Sequence, residues 1–274
     1  MRIGAVSYLN TKPLVYQLAR FAPGAEVVFD LPSRLADKLA AGKLDVALIP
    51  SVEYFQNPDY AIISDACIGC RGPVLSVKLL SRVPTDKICT LALDEGSRTS
   101  VALVRILLKE RHGLTPRLLP FPLGVAAESV EADAVLMIGD RAMHPPAGFS
   151  HEWDLGDEWC RWAELPFVFA MWVTRKELVP ELGEIEIALG LARDEGVAHL
   201  EEIARSEAAG VRLTPEQSLS YLRDNLYFYL GPRERRGLEL FREHAVRLGL
   251  APEHATGLPP AQKLPREATT VLQP

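Results

Sequence analysis

Asp45-Val46-Ala47-Leu48-Ile49-Pro50 is an acidic residue followed by a short apolar run that a proline closes. A run of that length, bounded by turn chemistry, reads as a strand. Just before it, Ser33 can cap a helix that buries Leu35, Ala36, Leu39 and Ala40 and stops at Gly42. Val27 to Leu31 reads as the strand ahead of that helix, and Ile3 to Val6 as the first, buried strand. A loop, Ser7 to Thr11, leads from the first strand into a helix over about Pro13 to Arg20, proline being tolerated in a first turn. Three strands alternating with two helices through short turns imply parallel strands joined by right-handed crossovers.

A similar rhythm then restarts. Thr90 to Leu93 reads as a strand, and Asp94-Glu95-Gly96-Ser97-Arg98-Thr99 as a polar loop. The next helix carries Val101, Val104, Leu107 and Leu108 on one face and ends in Lys109, Arg111, His112 and Gly113, which is strong stop chemistry. Arg117 to Pro120 reads as a strand, and Asp133-Ala134-Val135-Leu136-Met137-Ile138 repeats the signature seen at Asp45. The segment from Ile62 to Leu80 is rich in β-formers and adds further strands, and Phe167 to Val173 is an apolar strand long enough to cross back. After Pro180 the pattern turns helical, over about Glu181 to Arg193, Val197 to Ala204, Pro215 to Tyr229 and Pro232 to Leu248. The tail from Ala251 is proline-rich and reads as an extended strap or a partly disordered segment.

The expected fold class is therefore α/β, with two lobes that are each a mixed sheet flanked by helices. Lobe one comprises 1–84 plus 174–274 and is discontinuous; lobe two comprises 85–173; the crossings fall near 82–88 and 166–174. Ligands of open α/β sheets sit beyond the carboxyl ends of parallel strands. In both units polar loops occupy that place: Ser7 to Thr11 and Pro50-Ser51-Val52-Glu53 in one, Glu95 to Ser100 and Gly139-Asp140 in the other. A cleft between the lobes would bring them together.

With 274 residues, 48% hydrophobic and 24% charged, the chain has the composition of a globular protein and room for a large core. Its formal net charge of −6 gives no basic footprint for nucleic acid, so an anionic ligand must be held by local donors against the overall field. The N-terminal apolar run is too short for a signal-peptide core, and no stretch approaches a membrane span. The expected location is the cytoplasm. Four cysteines do not make a disulfide scaffold. Cys67-Ile68-Gly69-Cys70 has a CxxC spacing, but a zinc site needs a second ligand pair and none is present.

The strongest local signal is Gly96-Ser97-Arg98-Thr99-Ser100: free backbone N–H groups at a helix start, beside three hydroxyls, make an anion site. Ordinary capping would need only one of those hydroxyls. Arg98 in a first turn opposes the helix dipole and needs an anionic partner, either a ligand or Asp94/Glu95. Asn10 can donate and accept, and equally suits a turn. Ser76, in Gly72-Pro73-Val74-Leu75-Ser76, has no nucleophile-elbow motif around it, so serine-hydrolase chemistry is not expected. His144 and His151 flank the loop after Asp140 and either is within reach of the cleft; the other histidines read as solvated or helical surface residues. No glycine-rich nucleotide motif occurs. Neither a metal nor a cofactor is expected.

Taken in order, several motifs resemble the chorismate dehydratases of the futalosine route to menaquinone: Ser7-Tyr8-Leu9-Asn10-Thr11-Lys12-Pro13-Leu14, Gly42 to Pro50, Gly72 to Ser76, Ser97 to Val101, Ile138-Gly139-Asp140 and Leu165 to Ala170. The resemblance spans most of 1–250. It implies a two-lobe fold similar to the type 2 periplasmic binding proteins, a lyase activity on chorismate, no partner beyond that small molecule, and a monomer or homodimer. The residues matching the family's motifs are Asn10 and Ser76, expected as catalytic, with Tyr8, Ser51, Ser97, Arg98, Thr99, Ser100 and Asp140 expected to hold substrate. No protein base stands out; Glu53 and Asp140 are fallback candidates, and the substrate's enolpyruvyl carboxylate is the preferred one. The sister 1,4-dihydroxy-6-naphthoate synthase uses a cleft histidine, and Ile138 to Met143 carries none. The reading from another class is a solute-binding protein for a small carboxylate, for which an export signal is expected and none is seen.

Overall fold

Val46–Pro50 is buried along its whole length and lies inside a six-stranded sheet. The computed structural model describes residues 1–253 and Leu258; most of the tail, with its expected strap, lies outside the described residues. In chain order the strands are β1 (Arg2–Val6), β2 (Glu26–Asp30), β3 (Val46–Pro50), β4 (Tyr60–Cys70), β5 (Val77–Ser81), β6 (Thr90–Asp94), β7 (Arg117–Phe121), β8 (Ala134–Ile138), β9 (His151–Asp154), β10 (Phe167–Arg175) and β11 (Tyr227–Tyr229). The helices are α1 (Leu18–Phe21), α2 (Pro32–Ala40), α3 (Ser51–Gln56), α4 (Arg98–His112), α5 (Leu155–Ala163), α6 (Ile185–Ala198), α7 (Leu200–Glu207), α8 (Pro215–Ser220) and α9 (Pro232–Arg247).

The first sheet has the order β11-β4-β10-β3-β1-β2, and the second β7-β6-β8-β5-β9. β1 pairs in parallel with β2 and β3, and β6 in parallel with β7 and β8, as the crossover reading requires. β10 runs antiparallel between β3 and β4, and β5 antiparallel between β8 and β9. The caps follow the sequence chemistry. Ser97 Oγ accepts from the Ser100 N–H at the start of α4, and Gly113, at φ +68°, closes its end.

Three expectations change. β5 belongs to the second sheet and β10 to the first, so the chain passes between sheets at 71–76, not near 82–88, and returns between α5 and β10, at the leading edge of the expected 166–174. β10 has eight buried residues in a row, and a central place in the larger sheet covers both its faces. The helix expected over Pro13 to Arg20 is a 3-10 segment, Leu9–Val15, followed by the single turn α1. Gln17 between them has φ +51°, which breaks a continuous α-helix. The helix expected over Pro215 to Tyr229 is α8, a π-turn over Tyr221–Asn225, and the edge strand β11.

The 3-10 segment is held from behind by α6. A Cβ on Gly196 would stand 2.0 Å from the Pro13 carbonyl oxygen, so only glycine allows this approach. The close packing fixes the backbone that carries Asn10. No helix among the described residues is long and apolar enough to cross a membrane.

Candidate active site

A cavity with about 490 Å³ of empty space, partly open to solvent, lies between the two sheets. Its polar groups come from the carboxyl ends of parallel strands: Tyr8 and Asn10 after β1, and Ser97, Thr99 and Ser100 after β6. Ser76 enters from the segment that joins the sheets, and Gly139 from the end of β8. The remaining walls are apolar, among them Pro32, Ile68 and Phe169. Among the described residues lining it there is no Asp, Glu, His, Lys or Arg.

The N-terminus of α4 forms one wall. With Ser97 capping the Ser100 N–H, the first-turn N–H groups of Arg98 and Thr99 have no acceptor within the helix. Thr99 Oγ1 accepts the Val52 N–H at 3.2 Å and lies 3.4 Å from Ser51 Oγ, which donates to the Val168 carbonyl at 2.8 Å. Ser51 and Thr99 thus tie the start of α3 to the start of α4. Ser51 does not itself line the cavity.

Arg98 turns away from it. Its guanidinium sits 2.8 Å from Asp37 and 3.2 Å from Glu53, on the outer side of α4. The anionic partner its position required is this pair of carboxylates, neither a ligand nor Asp94/Glu95. Burial raises the Glu53 carboxyl and Arg98 offsets part of that rise.

Tyr8 lies against the second sheet. A Cβ on Gly139, which has φ +69°, would stand 2.6 Å from Cζ of Tyr8. Burial pushes the Tyr8 phenol upward, and the nearby Asp94 carboxylate adds to the shift, so it stays a protonated donor. Asp94 is 1% exposed; it accepts from the Gly96 N–H at 2.8 Å and pairs with Arg141. Asp140 is spent similarly. It accepts the Leu9 N–H at 3.1 Å, across from the second sheet to the first, and does not line the cavity.

Asn10 and Ser76 meet on a residue that the sequence did not single out. Tyr221, wholly enclosed, donates its phenol hydrogen to Ser76 Oγ at 2.9 Å, and Asn10 hydrogen-bonds the same hydroxyl. Ser76 is aimed by its own loop. Leu75 has φ +60°, an unusual conformation for a branched side chain, and the Asp154 carboxylate accepts the N–H groups of Val74 at 2.9 Å and Leu75 at 2.6 Å. The same carboxylate caps α5 through the Asp157 N–H at 3.0 Å.

The family model described as menaquinone biosynthesis matches residues 1–247. The chain belongs to that family. A chorismate dehydratase of Thermus thermophilus is 32% identical over 268 residues, covering 91% of this chain and 96% of the relative. Among solved structures, protein AF1704 from Archaeoglobus fulgidus superposes with a TM-score of 0.71 at 17% identity, covering 91% of this chain and 97% of that one. The alkanesulfonate-binding protein SsuA from Xanthomonas axonopodis pv. citri, bound to MOPS, gives 0.66 at 13% identity, covering 94% and 96%. The Candida albicans CA3427 product, described as having the generic periplasmic binding protein fold, gives 0.60 at 12% identity, covering 92% and 91%. The fold is that of the periplasmic binding proteins.

In this member of the menaquinone biosynthesis family, the two histidines within sequence reach of the cleft do not line it. His144 Nε2 lies 2.8 Å from the Val211 carbonyl, and His151 is exposed on β9. Cys67 and Cys70 are buried on β4, and burial pushes the Cys67 thiol up, away from the reactive thiolate. Tyr221 escaped sequence reading because its neighbours, Ser218 and Leu222, make it look like one more core residue of a helix.

Proposed function

We propose that this chain dehydrates chorismate to 3-(1-carboxyvinyloxy)benzoate in the cytoplasm, with Asn10 and Ser76 as its catalytic groups and the substrate as its own base. The observation that carries this reading is the lining of the cavity. Donors converge on it from both sheets, and no carboxylate or imidazole faces it among the described residues. A reaction that must lose a ring proton there needs a base brought in by the ligand, and chorismate carries one on its enolpyruvyl arm.

The step balances without an external reagent. The C–H bond at the ether-bearing ring carbon breaks, and its proton goes to the enolpyruvyl carboxylate. The electron pair enters the ring, and the neighbouring C–O bond breaks. The departing hydroxide takes up that proton as water, and the ring becomes aromatic. The elimination is redox-neutral and asks for no electron carrier. Aromatisation makes it strongly downhill, so the task of the protein is to choose this route over rearrangement or pyruvate loss, and positioning supplies that choice.

Two carboxylates need two sets of donors. The N–H groups that open α4, with the hydroxyls of Ser97, Thr99 and Ser100, suit the ring carboxylate, since a helix start favours negative charge. Tyr8 and Asn10 suit the enolpyruvyl end, and the Ser76 hydroxyl the departing hydroxyl group. These neutral donors sit in a largely apolar site, where hydrogen bonds to an anion are strengthened despite the net charge of −6. Ser51, Arg98 and Asp140 act at one remove, by holding α3, α4 and the 3-10 segment in place. Residues 1–76 and the segments from β10 onward form one lobe in this reading, and β5 to β9 the core of the other.

Incubating the pure protein with chorismate and separating the products by chromatography tests the reading. Appearance of the enolpyruvyl benzoate supports it. Tight binding of chorismate with no conversion would contradict it and favour a binding protein for small carboxylates.

A further inference from the structure

We infer that Tyr221 is a positioning residue that fixes the Ser76 hydroxyl as a hydrogen-bond donor into the cavity. The inference deepens the proposed dehydration and rests on it.

A hydroxyl has one hydrogen and two lone pairs, and a side-chain amide donates through nitrogen and accepts through oxygen. The phenol of Tyr221 gives its one hydrogen to Ser76 Oγ at 2.9 Å. It is 2% exposed, so water does not compete for that hydrogen. The hydrogen bond from Asn10 must then reach the phenol oxygen as acceptor, with the Asn10 amide nitrogen as donor. The Asn10 amide oxygen meanwhile accepts from Thr11 Oγ1 at 3.3 Å, which orients the amide with its nitrogen toward the phenol.

The order is therefore directional: Asn10 amide to Tyr221 phenol, phenol to Ser76 oxygen. Ser76 donates to no protein acceptor among the described residues, and it lines the cavity. Its hydrogen is left for the ligand. The acceptor it meets must offer a lone pair, as the departing hydroxyl and its incipient hydroxide do. Reversing the chain would turn Ser76 toward the phenol and strip the leaving group of its donor.

The phenol must stay protonated to hold this direction. Burial raises it most, and the charges of Asp140 and Asp154 oppose its ionisation further, while the hydrogen bond that Asn10 donates acts the other way. The balance keeps Tyr221 neutral across the ordinary pH range.

Two substitutions test the role. Tyr221→Phe removes the hydroxyl and keeps the ring; kcat for chorismate should fall about two- to tenfold, the weight of one neutral hydrogen bond, with a smaller change in KM. Incorporation of a trifluorotyrosine at 221 keeps the shape and acidifies the phenol. That protein should match the native rate at neutral pH and lose kcat on the alkaline side, where the native profile is flat. An unmoved alkaline profile, or a Tyr221→Phe protein that melts like the native one and keeps its kcat, would overturn the inference while leaving the dehydration intact. Native protein that fails to convert chorismate would overturn both.

Discussion

Gly139 lies face-on to the ring of Tyr8, with room for no atom between them: an added Cβ would stand 2.6 to 2.9 Å from three ring carbons. The contact joins the end of β8 to the loop after β1, and so sets how closely the two sheets approach around the cavity.

Gly139→Ala therefore carries two penalties, the close contact and a φ of +69° that a side chain rarely adopts. We expect a loss of about 1–3 kcal/mol in stability. We also expect a rise in KM for chorismate, because Tyr8 must move. Thermal melts and steady-state kinetics on one preparation check both, and a protein with native melting and native KM would show that the contact is not fixed.

The loop before Ser76 makes a second prediction. Asp154→Ala leaves the N–H groups of Val74, Leu75 and Asp157 without their carboxylate. Stability should drop by about 2–3 kcal/mol, and kcat should fall because Leu75 no longer holds Ser76 toward the cavity. Leu75→Gly relieves the left-handed backbone without touching Asp154 and should retain kcat. Denaturant unfolding measured beside kcat separates the two outcomes.

Arg98 is expected to matter little for substrate affinity. Its partners are Asp37 and Glu53, and about two fifths of its side chain is exposed, as is much of Asp37. Arg98→Ala should change KM by less than about fivefold, the equivalent of about 1 kcal/mol for a surface pair. A loss of chorismate binding far beyond that would place the guanidinium on the ligand.

Asp133 provides a pH dependence with a defined sign. Its carboxylate accepts from the Thr90 hydroxyl and from the Cys89 and Thr90 N–H groups, which hold it below the ordinary value of 3.8. The unfolded chain thus binds the proton more readily than the folded one. The stability from these bonds is present above pH 3.8 and is lost as pH falls below it, through the depressed folded value. Asp133→Asn should be less stable at neutral pH and show a flatter decline in acid. An unchanged acid limb in urea unfolding would contradict this.

The sequence shows the parallel units clearly because Asp45 to Pro50 and Asp133 to Ile138 carry the same buried-strand pattern, and because Ser97 and Gly113 mark both ends of α4. It does not show which sheet receives β5 or β10, since Phe167 to Val173 is equally apolar in either place; only pairing with β3 and β4 decides. The strand-end loops could be anticipated as cavity walls, as Tyr8, Asn10 and Ser97 to Ser100 demonstrate. Side-chain direction could not. Arg98 shares a loop with three cavity hydroxyls and points the other way, because Asp37 and Glu53 lie distant in sequence. Tyr221 was hidden for the same reason: the contact with Ser76 joins residues far apart in the chain, and no local pattern marks it.

The central claim is that the protein supplies donors and the substrate supplies the base. Its most direct test compares chorismate with the analogue whose enolpyruvyl carboxylate is replaced by a carboxamide, in single-turnover experiments at saturating protein. The account predicts that the amide binds and does not eliminate water, while chorismate converts fully. Conversion of the amide at a rate near that of chorismate would require a protein base and contradict the account.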